Sequence, residues 1–288
     1  LTFISLFSLT VQAQDKPLFV QEDLKLVASD YKFTEGCSKD KAGNVYFTDQ
    51  PNDKIWKYDL DGKLSVFLDK TGRSNGTFFD KKGNLITCAD EKGEIWSVDK
   101  NGKVTVLLNN FGGKQLNGPN DLWLDAKGGM YFTDPYYQRP YWSRTSKDIP
   151  TEDVYYFAKG AKEAVKVAEG LKQPNGIVGS KDGKFLFISD IADGKTYKYP
   201  IVKNGVLGEK QLLITRGSDG MTLDNKGNVY LTGNGGVHIF NASGKSIGTI
   251  KVPKGASNVC FYGKNNDVLF ITAHNSVYTI PVNAKGVE

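Results

Sequence analysis

Six side chains in this sequence share a spacing that could do chemistry. Glu35, Asn75, Asn120, Asn175, Asp219 and Asn258 each stand eight residues before a turn residue: Gly43, Gly83, Gly128, Gly183, Gly227 and Asn266, in that order. All six carry a side-chain oxygen, two as carboxylates and four as carboxamides. If the segments that bear them are equivalent units around an axis, the six oxygens converge on one mouth of a channel. Two carboxylates held together away from bulk water are costly unless a cation sits between them. Carboxylate and amide oxygens without imidazole or thiolate suit a hard cation with flexible coordination, so Ca²⁺ comes first and Mg²⁺ or Mn²⁺ next. Zn²⁺ is the poorest match, since it prefers nitrogen or sulfur.

The elements that must position these residues repeat at intervals of about 40 to 55 residues, the period of a stacked supersecondary unit. Residues 116–135 (LNGPNDLWLDAKGGMYFTDP) show the pattern most fully: polar entry, short strand, Gly turn, returning strand. In the first repeat NVYFTD (44–49), KIWKYD (54–59) and LSVFL (64–68) follow the entry strand, with Gly43 and Gly62 in two of the three turns. The second repeat matches it, with Trp56 and Trp96 in the same place, as blade-to-blade packing requires. A repeat that cannot bury its own face stacks on its neighbours, and all-β repeats of this length close into a ring. The fold read from this pattern is all-β: a six-bladed β-propeller with four-stranded blades around a central metal-binding channel. A strand within residues 18–31 is expected to close the ring by pairing with SVYTIPV (276–282) in the last blade.

Composition agrees with one propeller domain over residues 15–288. Gly is abundant at 32 residues, aromatics make up 12 % and no long helical pattern occurs. Residues 1–14 (LTFISLFSLTVQAQ) are uncharged and apolar, too short to span a bilayer, and end in a small-x-small pattern. They read as a secretory signal peptide with a truncated start, which implies an exported product, periplasmic or secreted, with no membrane insertion of the mature chain. The net charge of +5 is carried by lysines scattered through turns, a solvated surface and not a nucleic-acid stripe. A monomer or weak dimer is expected. The three cysteines have no metal spacing. Cys37 and Cys260 each follow a ring position by two residues in the first and last repeats, where a closing disulfide is possible but buried thiols are the commoner state.

The third repeat departs from the others. Residues 135–150 (PYYQRPYWSRTSKDIP) are inserted where the second strand returns to the ring mouth. They are expected to overhang it, with Tyr136 and Arg139 as substrate-binding residues, or to be a loop stapled down by its own aromatics. His238 and His274 fall outside the ring register and read as structural or surface residues. The alternative reading takes the Asn-Gly and Asp-Gly pairs as mere chain reversals. That view explains the glycines but not a Glu in the first repeat, nor Asn120 and Asn258 without a following Gly.

With these residues in view, the chain resembles the SMP-30/gluconolactonase/luciferin-regenerating-enzyme family. The resemblance rests on LNGPNDLWLDAKGGMYFTDP together with Thr34-Glu35-Gly36, Pro174-Asn175-Gly176-Ile177 and Asp219-Gly220-Met221. It implies a six-bladed propeller with one axial divalent metal and hydrolysis of a lactone, a sugar lactone such as gluconolactone first. By the match of motifs, Glu35, Asn175 and Asp219 are the implied metal ligands, Asn120 a further ligand or substrate contact, and Asp219 also the general base. Some sugar-lactonase members carry an Arg where this chain has Gly118, so their sugar contacts do not carry over. The residues alone support the same chemistry: a cation polarises the ester carbonyl, Asp219 takes the proton of water, and Asn75 and Asn120 orient the ester. Neither histidine lies in a recognisable nucleophile motif. The competing readings are a non-catalytic ligand-binding propeller with a structural metal and an organophosphate-type hydrolase on the same ring.

Overall fold

The computed structural model describes residues 16–287. The segment read as a signal peptide lies outside the described residues. Six antiparallel sheets follow one another around an axis. Each blade begins with an inner strand that leaves the ring mouth, reverses at the turn residue, and continues outward through hairpins. All six turn residues have positive φ, from 57° at Asn266 to 96° at Gly43, so five are glycines and the sixth is the residue type that best tolerates this region. The sixfold spacing of the sequence is thus a spacing of left-handed turns.

Blade 1 comprises Thr34–Lys39, Val45–Asp49, Lys54–Tyr58 and Leu64–Asp69; blade 2 comprises Ser74–Phe79, Leu85–Ala89, Glu94–Val98 and Val104–Leu108. Blade 3 is built from Leu122–Leu124, Met130–Asp134, Asp153–Phe157 and Val165–Ala168, with residues 135–150 between its second and third strands. Blade 5 holds Met221–Leu223, Val229–Gly233, Gly236–Phe240 and Ser246–Lys251. In blade 6, Asn258–Tyr262, Val268–Ala273 and Ser276–Pro281 are completed by Lys25–Ala28 from the start of the chain. The ring closes there, as the sequence pattern anticipates.

Blade 4 differs from the four-stranded expectation. Its third strand, Lys195–Lys203, runs past the sheet and turns at Asn204-Gly205 into a short fifth strand, Val206–Leu207, before Gln211–Ile214 completes the blade. The extension packs on blade 3, where the Gly205 amide donates to the Tyr131 hydroxyl at 2.9 Å.

Inner and second strands are almost wholly buried, while the outer strands alternate towards solvent. All three cysteines are buried thiols, and Cys37 and Cys260 share the cluster between blades 1 and 6. No helix among the described residues is long and apolar enough to cross a membrane.

Candidate active site

The ring residues point inward because the backbone is bent to aim them. In blades 1, 2 and 4 the ladder between inner and second strands slips beside the ring residue, between Glu35 and Ser38, Ser74 and Thr77, and Pro174 and Ile177. Such a bulge re-aims a side chain without ending the strand. The glycines that follow are therefore not chain reversals. A Cβ on Gly36 would lie 1.9 Å from the Asn75 carbonyl oxygen, and on Gly76 and Gly176 it would lie 2.5 Å from those of Asn120 and Asp219. Each glycine lets the next blade's ring residue come close, and the main chain around the axis has no room for a larger residue.

Hydroxyls knit the ring from blade to blade. Thr48 donates to the Asn75 carbonyl at 3.2 Å, Thr133 to that of Asn175 at 2.8 Å, and Thr232 to that of Ser257 at 2.8 Å. Between blades 2 and 3 the link is the Gly76 amide on the Asn120 carbonyl at 2.7 Å, and Ser257 closes the circle on the Thr34 carbonyl at 2.7 Å. These second-strand hydroxyls stand directly before the strand's last residue in blades 1, 3, 4, 5 and 6; Cys88 takes the place in blade 2. Sequence reasoning missed them, although the recurrence of Thr or Ser there was a sufficient signal.

Within this frame, Glu35, Asn75, Asn120, Asn175 and Asn258 are buried and Asp219 is partly exposed at the mouth. Glu35 and Asp219 face each other. Burial foremost, then the charge of Asp219 and a hydrogen bond to it, push the Glu35 carboxyl well above its usual range. Burial raises Asp219 too, opposed by hydrogen bonds from Glu35 and Asn175. Glu35 is therefore the more strongly raised of the two, and the two carboxyls share a hydrogen bond. Asn175 Nδ2 donates to Asp219 Oδ1 at 2.8 Å and to the Tyr137 hydroxyl at 3.0 Å, which leaves its Oδ1 free of both contacts. Neither Asn75 nor Asn120 has its side-chain amide in a hydrogen bond within the described residues. Asn258 differs, since its Oδ1 accepts the amide of Val259 at 2.7 Å.

No three His, Cys, Asp or Glu side chains gather as a metal site among the described residues. The ring offers two carboxylates and carboxamide oxygens instead. Two carboxyls that face each other beside carboxamide oxygens are a donor set that fits a hard divalent ion.

Asp121 is a third acid beside the axis that the sequence reading passed over. Its Oδ1 accepts the Leu122 amide at 2.9 Å and its charge contributes to the upward push on Glu35. It stands where blades 1, 2, 4 and 5 carry Gly36, Gly76, Gly176 and Gly220, so a carboxylate among glycines was the signal.

Residues 135–150 fold over the mouth and are anchored on blade 2. Asp90, only 3 % exposed, accepts from Arg139 Nε at 3.1 Å and from the Tyr141 hydroxyl, and its carbonyl accepts from Trp142 Nε1 at 3.1 Å. Trp142 is buried; a Cβ on Gly118 would lie 2.7 Å from Asp90 Oδ1 and 3.1 Å from the indole. A side chain at position 118 is thus excluded by the inserted segment. Arg139 lies over the Tyr137 ring at 5.3 Å, and its charge reaches Asp219. Tyr136 sits one layer back, with its hydroxyl on Gln138 and its ring 5.6 Å from Trp142. The hydroxyl that meets the ring belongs to Tyr137. His238 is held at the side of blade 5 by Arg216 and the Asn234 carbonyl, and His274 is exposed.

Residues 33–275 match the family model described as SMP-30/Gluconolactonase/LRE-like region. The chain is 28 % identical to a gluconolactonase of Zymomonas mobilis over 94 % of its own length and 85 % of that protein. Among solved structures it matches a gluconolactonase from Xanthomonas campestris with a TM-score of 0.85 at 25 % identity, covering 90 % of this chain and 89 % of that one. A calcium-binding regucalcin from Agrobacterium tumefaciens superposes with a TM-score of 0.75 at 18 % identity over 91 % of this chain and 94 % of that one, a likeness of fold.

Proposed function

The chain belongs to the SMP-30/gluconolactonase/LRE-like family, and we propose that it is a lactonase, a hydrolase that opens the ring ester of a lactone, with gluconolactone and related sugar lactones as the first candidates. The observation that carries this reading is the Glu35–Asp219 pair, two acids hydrogen-bonded to each other at the mouth of a ring lined by amides. The gluconolactonase relatives support the substrate class.

Glu35, Asn175, Asp219 and Asn120 would hold one divalent cation, Ca²⁺ before Mg²⁺, Mn²⁺ or Zn²⁺. Bound there, it supplies Lewis-acid polarisation of the ester carbonyl. The chain's own residues do the rest. Asp219 takes a proton from the attacking water through its carboxylate. Asn75 and Asn120 orient the ester through their free amides. Arg139 and Tyr137 wall the mouth on the side of the inserted segment, and the guanidinium stabilises negative charge as the carboxylate product forms. Tyr136 supports that wall from behind through Trp142.

The test is a pH-stat assay of chelator-stripped protein on sugar and aliphatic lactones and a phosphotriester, with each cation added back singly. Lactone turnover should return with a hard cation. In Asp219→Asn it should fall by roughly 10²–10⁴-fold while the cation still raises the melting temperature. Intact lactones with an undiminished melting shift would reassign the ring to ligand binding, and preferential loss of the phosphotriester would make the protein an organophosphate-type hydrolase.

A further inference from the structure

A cavity of about 520 Å³ shares no residue with the ring. It opens on the opposite face, where the Gly turns lie, and runs between blades 2 and 3. Its origin is visible in the repeat. Tyr46, Ile86, Tyr131 and Tyr230 hold one register, each opposite the third residue after a ring position. The three tyrosines reach the following blade: Tyr46 packs on Phe79 at 4.9 Å, the Tyr131 hydroxyl accepts the Gly205 amide at 2.9 Å, and Tyr230 packs on Phe261 at 5.3 Å. Ile86, like Leu269 in blade 6, puts an aliphatic side chain in this register, and the cavity between blades 2 and 3 lies beside it.

The floor of this cavity is apolar, with Phe78, Ile86, Trp123, Met130 and Phe157 among its lining. Its rim carries Lys81, Lys82, Lys127, Lys159 and Lys181. None of these lysines makes an ion pair among the described residues. The two acids of the rim are occupied by their own turns: Asp80 accepts the amides of Lys82 and Asn84, and Asp125 accepts those of Lys127 and Gly129 and the Tyr156 hydroxyl. A greasy slot within the volume range of small-molecule sites, under a rim where five lysines outnumber two acids, matches a molecule with an apolar tail and one anionic head.

We propose that this seam is a second binding site, distinct from the ring, for a free straight-chain carboxylate of about ten carbons, with the tail along Ile86 and Trp123 and the head among the lysines. The inference is independent of the lactonase reading.

Trp123 lines the cavity, so a brominated ligand should quench its fluorescence; Trp56, Trp96 and Trp142 lie elsewhere. Titration of the full-length protein with 11-bromoundecanoate should give saturable quenching that is lost in Trp123→Phe. Ile86→Phe, which closes the seam with a ring as other blades do, should weaken binding at least about tenfold while keeping or raising the melting temperature. The double charge reversal Lys82→Glu/Lys127→Glu should weaken it at least about tenfold, and so should replacing the acid by 11-bromoundecanol. Absence of saturable quenching, unchanged binding by folded Ile86→Phe, or equal affinity for the alcohol would each overturn the proposal. If Ile86→Phe fails to fold, the charge-reversal and alcohol measurements decide it.

Discussion

The grip of Asp90 on the inserted segment can be measured directly. Asp90 is buried, and Arg139 is 22 % exposed at the other end of a 3.1 Å contact. Changing Asp90 to Asn keeps the shape and removes the charge, so the Arg139 and Tyr141 donors lose a carboxylate and compete for one amide oxygen. Breaking a fully buried pair costs roughly 3–5 kcal/mol; with Arg139 partly solvated, about 2 kcal/mol is expected for release of the segment. That corresponds to about a 30-fold rise in the open population. Trypsin reads it, since the bond after Arg144 is cleavable while Arg139 is protected by Pro140, and Arg144 is held in the closed form on the carbonyls of Leu116 and Asn117. Cleavage after Arg144 should accelerate by that factor when opening is fast relative to cutting. A double-mutant cycle with Arg139→Gln should give a coupling of about 1–2 kcal/mol. Unchanged proteolysis together with a coupling under about 0.3 kcal/mol would show that Asp90 does not anchor the segment.

Gly36→Ala should destabilise the protein by about 3 kcal/mol or more, because its φ is +48° and the new Cβ meets the Asn75 carbonyl at 1.9 Å. Chemical denaturation measures this, and a midpoint equal to wild type would disprove the tight ring. Asp134 is buried and accepts the amides of Asn117 and Gly118, yet burial raises it from 3.8 to about 7. A carboxyl that binds its proton more tightly folded than unfolded gives stability that is full below pH about 4 and lost as pH rises to about 7, on the order of 4 kcal/mol. Denaturation midpoints at several pH values should therefore show wild type losing ground to Asp134→Asn over that window. A difference between the two that stays constant with pH would remove the argument.

The sixfold ring is legible in the sequence because its cause is local: a left-handed turn needs Gly or Asn, and the ring residue stands eight positions before it in every blade, so one turn residue indexes one ring residue. Closure is legible too, since residues 18–31 and 276–282 are the strands left over. What escapes is whatever depends on how loops cross blades. Nothing near Asp90 reveals that it binds residues some fifty positions later in the chain. The choice between Tyr136 and Tyr137 turns on the path of an aperiodic segment, where no alternation fixes which ring faces the mouth. The fifth strand of blade 4 is concealed because Lys195–Lys203 reads as an ordinary strand until its overhang meets blade 3. Asp121 and the second-strand hydroxyls were readable, but only by comparing repeats at every position and not at the turns alone.

The latch of Lys25–Ala28 on Ser276–Pro281 sets a timetable for the molecule's birth. Lys25 pairs with Thr279, and at roughly 5–20 residues per second the ribosome needs about 12–50 s to join them. The early strand waits through that interval, short enough at four residues to be a poor template for stray pairing. Glu35, Asn120, Asn175 and Asp219 all emerge before blade 6, yet they are held at one mouth only once blade 6 seals against blade 1. A nascent chain therefore carries every one of these oxygens before the circle that gathers them is closed.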